Sequence, residues 1–453
     1  MSLIDGLRAK VAKWPYSLLS VMAAVSAFGL YTSMYAFRKA FAAGTFTGQQ
    51  YLHVDYKVWL VIAQVIGYTL SKFYGIRFIA EVNSKTRGHY ILALIGFAWA
   101  ALLAFAFIPA PWNIIFLFLN GFPLGLIWGL VFGYLEGRRS TEFMAAVLSI
   151  SLIFASGFVK TVGRTLLTVF HVNEYHMPFL TGALFVLPLL LFVFCMELIP
   201  APTARDKQLR AERSPMNATE RKRFLVRFLP GIILTIIIYV LLTIMRDVRD
   251  NFEVEIWADL GVKSNGIYTN IDSIISVIVL VGMSLLILVK KNLRAFSIIH
   301  LFIIGGCVLV GVSTLLFSLK MISPVSWMTM AGLGLYMGYV PYNAIFFDRM
   351  IATFNYRSNV GFIMYIADSM GYLGSVSILF IKELGRPNIS WGTFFKEGVM
   401  IVAVVGGICS VLSLIYFLQS AKSSQNSKVK SQNEKSNTEF TANDLMSNNP
   451  INE

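Results

Sequence analysis

Polar residues interrupt this chain at long, fairly regular intervals, and between the interruptions the sequence is almost continuously apolar. Twelve apolar stretches stand out: Pro15–Phe41, Lys57–Ala80, Tyr90–Ile108, Trp112–Leu135, Phe143–Phe170, Met177–Ile199, Phe224–Met245, Gly266–Val289, Ala295–Leu319, Trp327–Ile351, Val360–Ile381 and Phe394–Gln419. Each runs to about 20 residues or more, enough to cross a hydrocarbon core of about 30 Å as a helix. A segment in lipid must bond its own backbone groups, which a helix does within itself. The alternating ten-residue pattern of a membrane β-barrel is missing, so the pattern predicts an all-α membrane protein.

Composition agrees with that reading. Of 453 residues, 56% are hydrophobic and 14% charged, and the mean hydropathy is +0.67, which excludes a soluble globular protein. The formal charge of +14 does not point to nucleic acid, because the basic residues are distributed by membrane side. Lys and Arg gather at Arg8 to Lys13, Lys85/Arg87, Arg138/Arg139, Arg205 to Arg227, Lys290/Lys291/Arg294, Arg349/Arg357 and the tail, which is every second loop. The intervening loops are neutral or acidic, most clearly the segment with Glu253, Glu255 and Asp259. The positive-inside rule then puts both termini in the cytoplasm. The amino-terminal apolar run is of full span length, so it is expected to be a first span and not a removed signal peptide. A bacterial inner membrane is the expected location.

The organisation is six spans plus six. An amino-terminal bundle over residues 1–200 is joined by a charged linker, 201–223, to a carboxy-terminal bundle over 224–420. Residues 421–453 are Ser-, Asn-, Lys- and Glu-rich and are expected to be a disordered cytoplasmic tail. Span four holds Gly121, Pro123, Gly125, Gly129 and Gly133, and span ten holds Gly332, Gly334, Gly338 and Pro341. Small residues let helix backbones approach, so the halves match in this respect. They match again in charge: Arg38 and Arg246 each follow a long apolar run that starts beside a basic cluster. A cation kept in or near a span faces a cavity, a counter-ion or an anionic ligand, or else snorkels to the interface. Cys195, Cys307 and Cys409 all lie in spans and read as small buried hydrophobes. The five scattered histidines form no metal triad or nucleophile–base pair, so neither an enzyme nor a cofactor is expected.

The segment Tyr31-Thr-Ser-Met-Tyr-Ala-Phe-Arg38-Lys39-Ala-Phe41 resembles the aromatic-rich end of helix one in the organophosphate:phosphate antiporters, the major facilitator branch that includes the glycerol-3-phosphate transporter. Gly67-Tyr-Thr-Leu-Ser71-Lys72-Phe73, with Glu81-Val-Asn-Ser84-Lys-Thr-Arg87 after it, is similar to that branch's Ser-Lys-Phe and acidic loop. Gly371-Tyr-Leu-Gly374-Ser resembles its Gly-Tyr-Leu-Gly-Gly. The chain departs from the branch in three places. The signature between helices two and three is degraded to Gly75-Ile-Arg77-Phe-Ile-Ala-Glu81; the Tyr-rich run of helix seven is stretched, so that either Arg246 or Arg249 is its terminal arginine; and helix five lacks the family's histidine, the nearest being His171.

The resemblance implies a twelve-helix major facilitator fold and a clamp in which Arg38 and Arg246 hold a small anionic, phosphorylated solute. A guanidinium suits that role because its planar fork donates paired hydrogen bonds to phosphate or carboxylate oxygens. Tyr35 and Tyr239 are candidate pocket residues, as are Tyr31, Tyr134, Trp128, Tyr342 and Asn343. Lys160 and Arg164, four residues apart on one helical face, are further candidates for the cavity. Arg249 beside Asp247 and Asp250 reads as an interfacial ion pair. Asp272 and Asp368 either neutralise an arginine or carry a coupling proton. Arg138, Arg139 and Glu142, between spans four and five, are placed to brace a cytoplasmic gate. The expected function is secondary active transport by a monomer in the lipid bilayer; the alternative is a transporter-like sensor that signals through a partner.

Overall fold

The computed structural model describes residues 3–83, 86–203, 206, 218–354 and 361–423. A short helix, α1 (Leu3–Val11), rests Ile4, Leu7 and Val11 against Leu19 and Leu198. The first half continues with α2 (Tyr16–Arg38), α3 (Tyr56–Glu81), α4 (Arg87–Phe107), α5 (Ile114–Leu135) and α6 (Thr141–Thr168). Its sixth span is α7 (Met177–Leu184) and α8 (Val186–Glu197), bent by 45° where they meet. The second half runs α9 (Ala218–Asp259), α10 (Ile267–Ile287), α11 (Asn292–Ser318), α12 (Pro324–Pro341), α13 (Phe347–Thr353), α14 (Gly361–Phe380) and α15 (Trp391–Ser423). Helix therefore occupies every apolar stretch marked out above. Among the described residues eight helices are long and apolar enough to cross a membrane, and α7 with α8 makes a ninth. The spans outside that set are α3, α12 with α13, and α14, and all three line the central cavity.

Close backbone approach sets the packing inside each half. A Cβ on Gly67 of α3 would collide with the Phe118 carbonyl oxygen of α5, and one on Gly121 of α5 with that of Gln64. In the second half a Cβ on Gly306 would lie 2.5 Å from the Gly334 carbonyl oxygen, so α11 and α12 meet in the same manner. The halves touch along two seams, α3 against α14 and α6 against α10. After Pro341, which has no N–H to give, the chain makes a π-helical turn, Tyr342–Phe346, before α13. A two-residue hairpin links Gln50–Tyr51 to Val54–Asp55, with Leu52 and His53 both at positive φ.

One element differs from the hydropathy reading. The run Phe224–Met245 is only the middle of α9, whose 42 residues make it about 63 Å long. The acidic segment with Glu253, Glu255 and Asp259, expected as a loop, is helical, and only Phe252 departs (φ −117°, ψ 20°). Glu253 is fully buried and Glu255 reaches a lysine of the other half, so ion pairs admit these acids to the interior beside the buried Phe252, Val254, Ile256 and Trp257 that carry the helix onward. Most of the linker expected at 201–223 and the tail from residue 424 lie outside the described residues, as do Ser84, Lys85, Arg205 and Arg357.

Candidate functional site

A cavity of about 630 Å³ lies between the two halves. The end of the molecule that carries α1 is called the near end here. From Val82, Arg87, Glu136 and Asp348 at the near end, the cavity runs inward to Arg38, Lys39, Arg246 and Asp250. Tyr31, Tyr35 and Arg38 stand on one face of α2, Tyr68 and Lys72 one turn apart on α3, and Tyr336 and Tyr339 on α12. The π turn places Tyr342, Asn343, Ala344 and Ile345 in succession along the wall, and α14 adds Asp368 and Tyr372.

Arg38 is the last residue of α2, yet it is not an interfacial anchor, because the chain continues buried through Ala40–Ala43. Its position is fixed from behind. Gln64 donates to the Arg38 carbonyl oxygen at 2.6 Å, and Asn120 donates to the Phe37 and Ala98 carbonyls at 2.9 and 3.0 Å. At Phe37 and Arg38 these amides satisfy carbonyls that the end of α2 leaves without partners, and the bond to Ala98 ties Asn120 to the middle of α4. Arg38 is 7% exposed, and its guanidinium carbon lies 3.8 Å from the centre of the Tyr68 ring. Among the described residues it has no carboxylate partner, and its Nε finds no acceptor.

The other cations of the inner cavity are paired. Lys72 lies 2.5 Å from Asp368, across the seam between halves. Arg246 lies 2.5 Å from Asp247, over the Tyr339 ring at 4.0 Å, and Asp247 also accepts from Ser375 at 2.8 Å. Lys39 lies 2.9 Å from Asp250 and donates to Asn251 at 2.7 Å. The structure thus brings Arg38, Tyr35, Arg246 and Asp368 together, as well as Tyr31, Trp128, Tyr342 and Asn343. Tyr239 stands behind the wall, donating to Asp368 and stacking on Tyr339. Tyr134 is also outside the cavity lining and donates to Glu197.

Lys160, Arg164 and Asp272 are elsewhere. Lys160 is fully buried towards the far end, 2.7 Å from Glu253 and 3.3 Å from Asp250, and donates to Ser156 at 2.8 Å. Asp272 is 2.7 Å from Arg249, which also meets Glu253 at 3.2 Å. Arg249 is thereby an internal charge with no exposure, not an interfacial one, and the arginine of α9 that reaches the cavity is Arg246. Arg164, one turn beyond Lys160, reaches the Ala43 carbonyl at 3.4 Å. Of the near-end candidates, Arg138 donates to the Tyr134 and Pro200 carbonyls, and Arg139 lies 3.6 Å from Asp206 and over the Tyr16 ring. Glu142 crosses between halves to Arg349 at 3.0 Å.

Sequence reasoning overlooked Lys39, Lys72, Tyr68, Tyr336, Tyr339, Tyr372, Asp247 and Asp250 as cavity residues. Signals existed for some of them: Lys72 and Tyr372 sit inside the quoted motifs, and Tyr336, Tyr339 and Tyr342 recur every three residues. Asp250 gave none, since it follows the apolar run and resembles a loop residue.

The chain belongs to a family of unknown function, DUF5690, whose profile matches residues 40–420. No curated protein matches it. In three dimensions it is similar to a D-xylose-proton symporter, with 15% identity and a TM-score of 0.58 over 89% of this chain and 97% of that one. It is also similar to the major facilitator superfamily proton:xylose symporter XylE bound to 6-bromo-6-deoxy-D-glucose, at 16% identity and a TM-score of 0.53, covering 89% and 96% of the two chains. The chain has the major facilitator fold.

Proposed function

We propose that this member of the DUF5690 family is a secondary active transporter of a small organic anion, working by alternating access. The observation that carries the reading is Arg38, a largely buried arginine that lines a cavity between two bundles and has no counter-ion among the described residues. Holding such a charge out of water costs several kcal/mol, and an anion entering the cavity returns that cost. The fold supports transport, since the similar solved proteins are symporters. The sequence likeness to the organophosphate antiporters brings phosphate esters into the class to be tested.

In this reading Arg38 and Tyr35 touch the solute and Arg246 faces it from the other half. Tyr239 positions Asp368, which either stays paired with Lys72 or takes up a coupling proton. Lys160 and Asp272 belong to the closed far end, Arg164 buttresses the chain after α2, and Arg138, Arg139 and Glu142 brace the near end. Arg8, Lys10, Lys13, Arg87, Arg138 and Arg139 all fall at the near end, so the positive-inside rule makes that end cytoplasmic and the cavity inward-facing.

The test is thermal unfolding of the detergent-purified protein against phosphate esters, inorganic phosphate, carboxylates, amines and sugars, because a ligand of the native state raises its stability. An anion that stabilises the wild type and not Arg38→Gln supports the reading. Stabilisation by sugars or amines alone, unchanged in Arg38→Gln, overturns it. Flux of the stabilising anion into proteoliposomes is expected; saturable binding without flux would indicate a sensor.

A further inference from the structure

We infer that the solute is a ring-bearing monocarboxylate and not a phosphate monoester, a narrowing that rests on the anion reading above. The first argument is charge. Around its inner end, away from Arg87, Glu136 and Asp348 at the near-end mouth, the cavity holds Arg38, Lys39, Lys72 and Arg246 against Asp247, Asp250 and Asp368, and each of those acids is already engaged by one of the last three cations. The surplus is a single positive charge, and it sits on Arg38. A monoanion cancels it. A dianion either leaves a negative charge in a dehydrated site or takes Lys72 or Arg246 from its partner, stranding a buried carboxylate. The two arginines that a phosphate clamp would use are therefore not equivalent here, because Asp247 has neutralised one of them.

The second argument is shape. Seven tyrosines line the cavity, Tyr31, Tyr35 and Tyr68 from the first half and Tyr336, Tyr339, Tyr342 and Tyr372 from the second. Tyr68 and Tyr372 meet across the seam edge to face, with centroids 5.5 Å apart. Such walls suit the face of a ring, a flat aromatic or the C–H face of a pyranose, and their hydroxyls serve its substituents. The face of the Arg38 guanidinium is taken by Tyr68, so its edge remains to receive both oxygens of a carboxylate. The cavity of about 630 Å³ lies within the range of roughly 300–1,000 Å³ that takes drug-sized ligands, well above a three-carbon ester.

The experiment measures affinities of the detergent-purified full chain for benzoate, glucuronate, phenyl phosphate, glucose phosphate, glycerol phosphate and acetate. At about pH 8, benzoate or glucuronate is expected to bind at least ~tenfold more tightly than the phosphate ester of the same body, with acetate weaker still. At about pH 5.5 the gap is expected to narrow, because a phosphate monoester with a second pKa of about 6 becomes a monoanion. Asp368→Asn, which frees Lys72 and raises the surplus to two, is expected to shift preference towards the ester; the wild-type pH series tests the same point without a variant. A phosphate ester that binds as tightly as the carboxylate at about pH 8, in a manner lost in Arg38→Gln, overturns the monocarboxylate and leaves the anion reading standing. Acetate binding as tightly as benzoate and glucuronate overturns the ring. No Arg38-dependent binding of any anion overturns both readings.

Discussion

Two buried arginines in this protein have opposite surroundings. Arg38 has an aromatic face and, among the described residues, no counter-ion, whereas Arg249 has Asp272 at 2.7 Å and Glu253 at 3.2 Å. Deleting them should therefore have opposite effects. Arg38→Met removes an uncompensated charge and is expected to leave the empty protein as stable as the wild type or more so, with anion binding abolished. Arg249→Met strands the buried Asp272 carboxylate, while Glu253 keeps Lys160 at 2.7 Å, and is expected to cost about 3–5 kcal/mol, read as a lower melting temperature. Equal destabilisation by the two changes would mean that Arg38 is compensated as fully as Arg249. Arg38→Lys keeps the charge and loses the fork, so affinity is expected to fall by about 10- to 100-fold while expression holds. That Arg38 closes an apolar run with a charge was legible in the sequence. That it lacks a counter-ion was not, because its neighbours Tyr68 and Lys72 come from α3, thirty residues or more along the chain.

At the scale of elements, hydropathy located every span because a helix in lipid is specified by its own residues. It failed on the length of α9, where Glu253 and Glu255 are paired by Lys160 and Lys57 of other helices and the residues between and beside them pack into the core. Helix crossings give a direct check on the packing. Gly121→Ala would drive a methyl group into the Gln64 carbonyl, and about 1–3 kcal/mol of destabilisation is expected from such overpacking. Gly6→Ala, whose new carbon meets nothing within 4 Å, serves as the control and should leave the melting temperature unchanged. Gly157 of α6 is a different case: its Cβ would strike the Tyr268 carbonyl and come within 2.7 Å of Asp272, across the seam between halves. Gly157→Ala is expected to weaken far-end closure more than the fold, seen as faster far-side labelling with little loss of melting temperature.

For the molecule as a whole, the far end is sealed by charge. Lys39 meets Asp250, Lys57 meets Glu255 at 2.5 Å, Lys160 meets Glu253, and the Asp55 amide donates to Glu383 at 3.1 Å, each joining one half to the other. Removing two of these contacts together should favour opening on that side. In a background without Cys195, Cys307 and Cys409, a thiol introduced at the cavity residue Ser149 is expected to react at least ~tenfold faster with an impermeant reagent from the far side when Lys39→Ala and Lys57→Ala are combined. An unchanged rate would mean that these pairs do not hold the far end shut. The sequence by itself determined that this is a helical membrane protein of two matched halves with a cation at the end of its first span, because apolar length and lone charges in lipid are local properties. Only the tertiary structure decided which charges cancel. Lys39, Lys72, Lys160, Arg246 and Arg249 each find an acid, in all but one case on another helix or in the other half, and the remainder left on Arg38 exists only once the helices are packed.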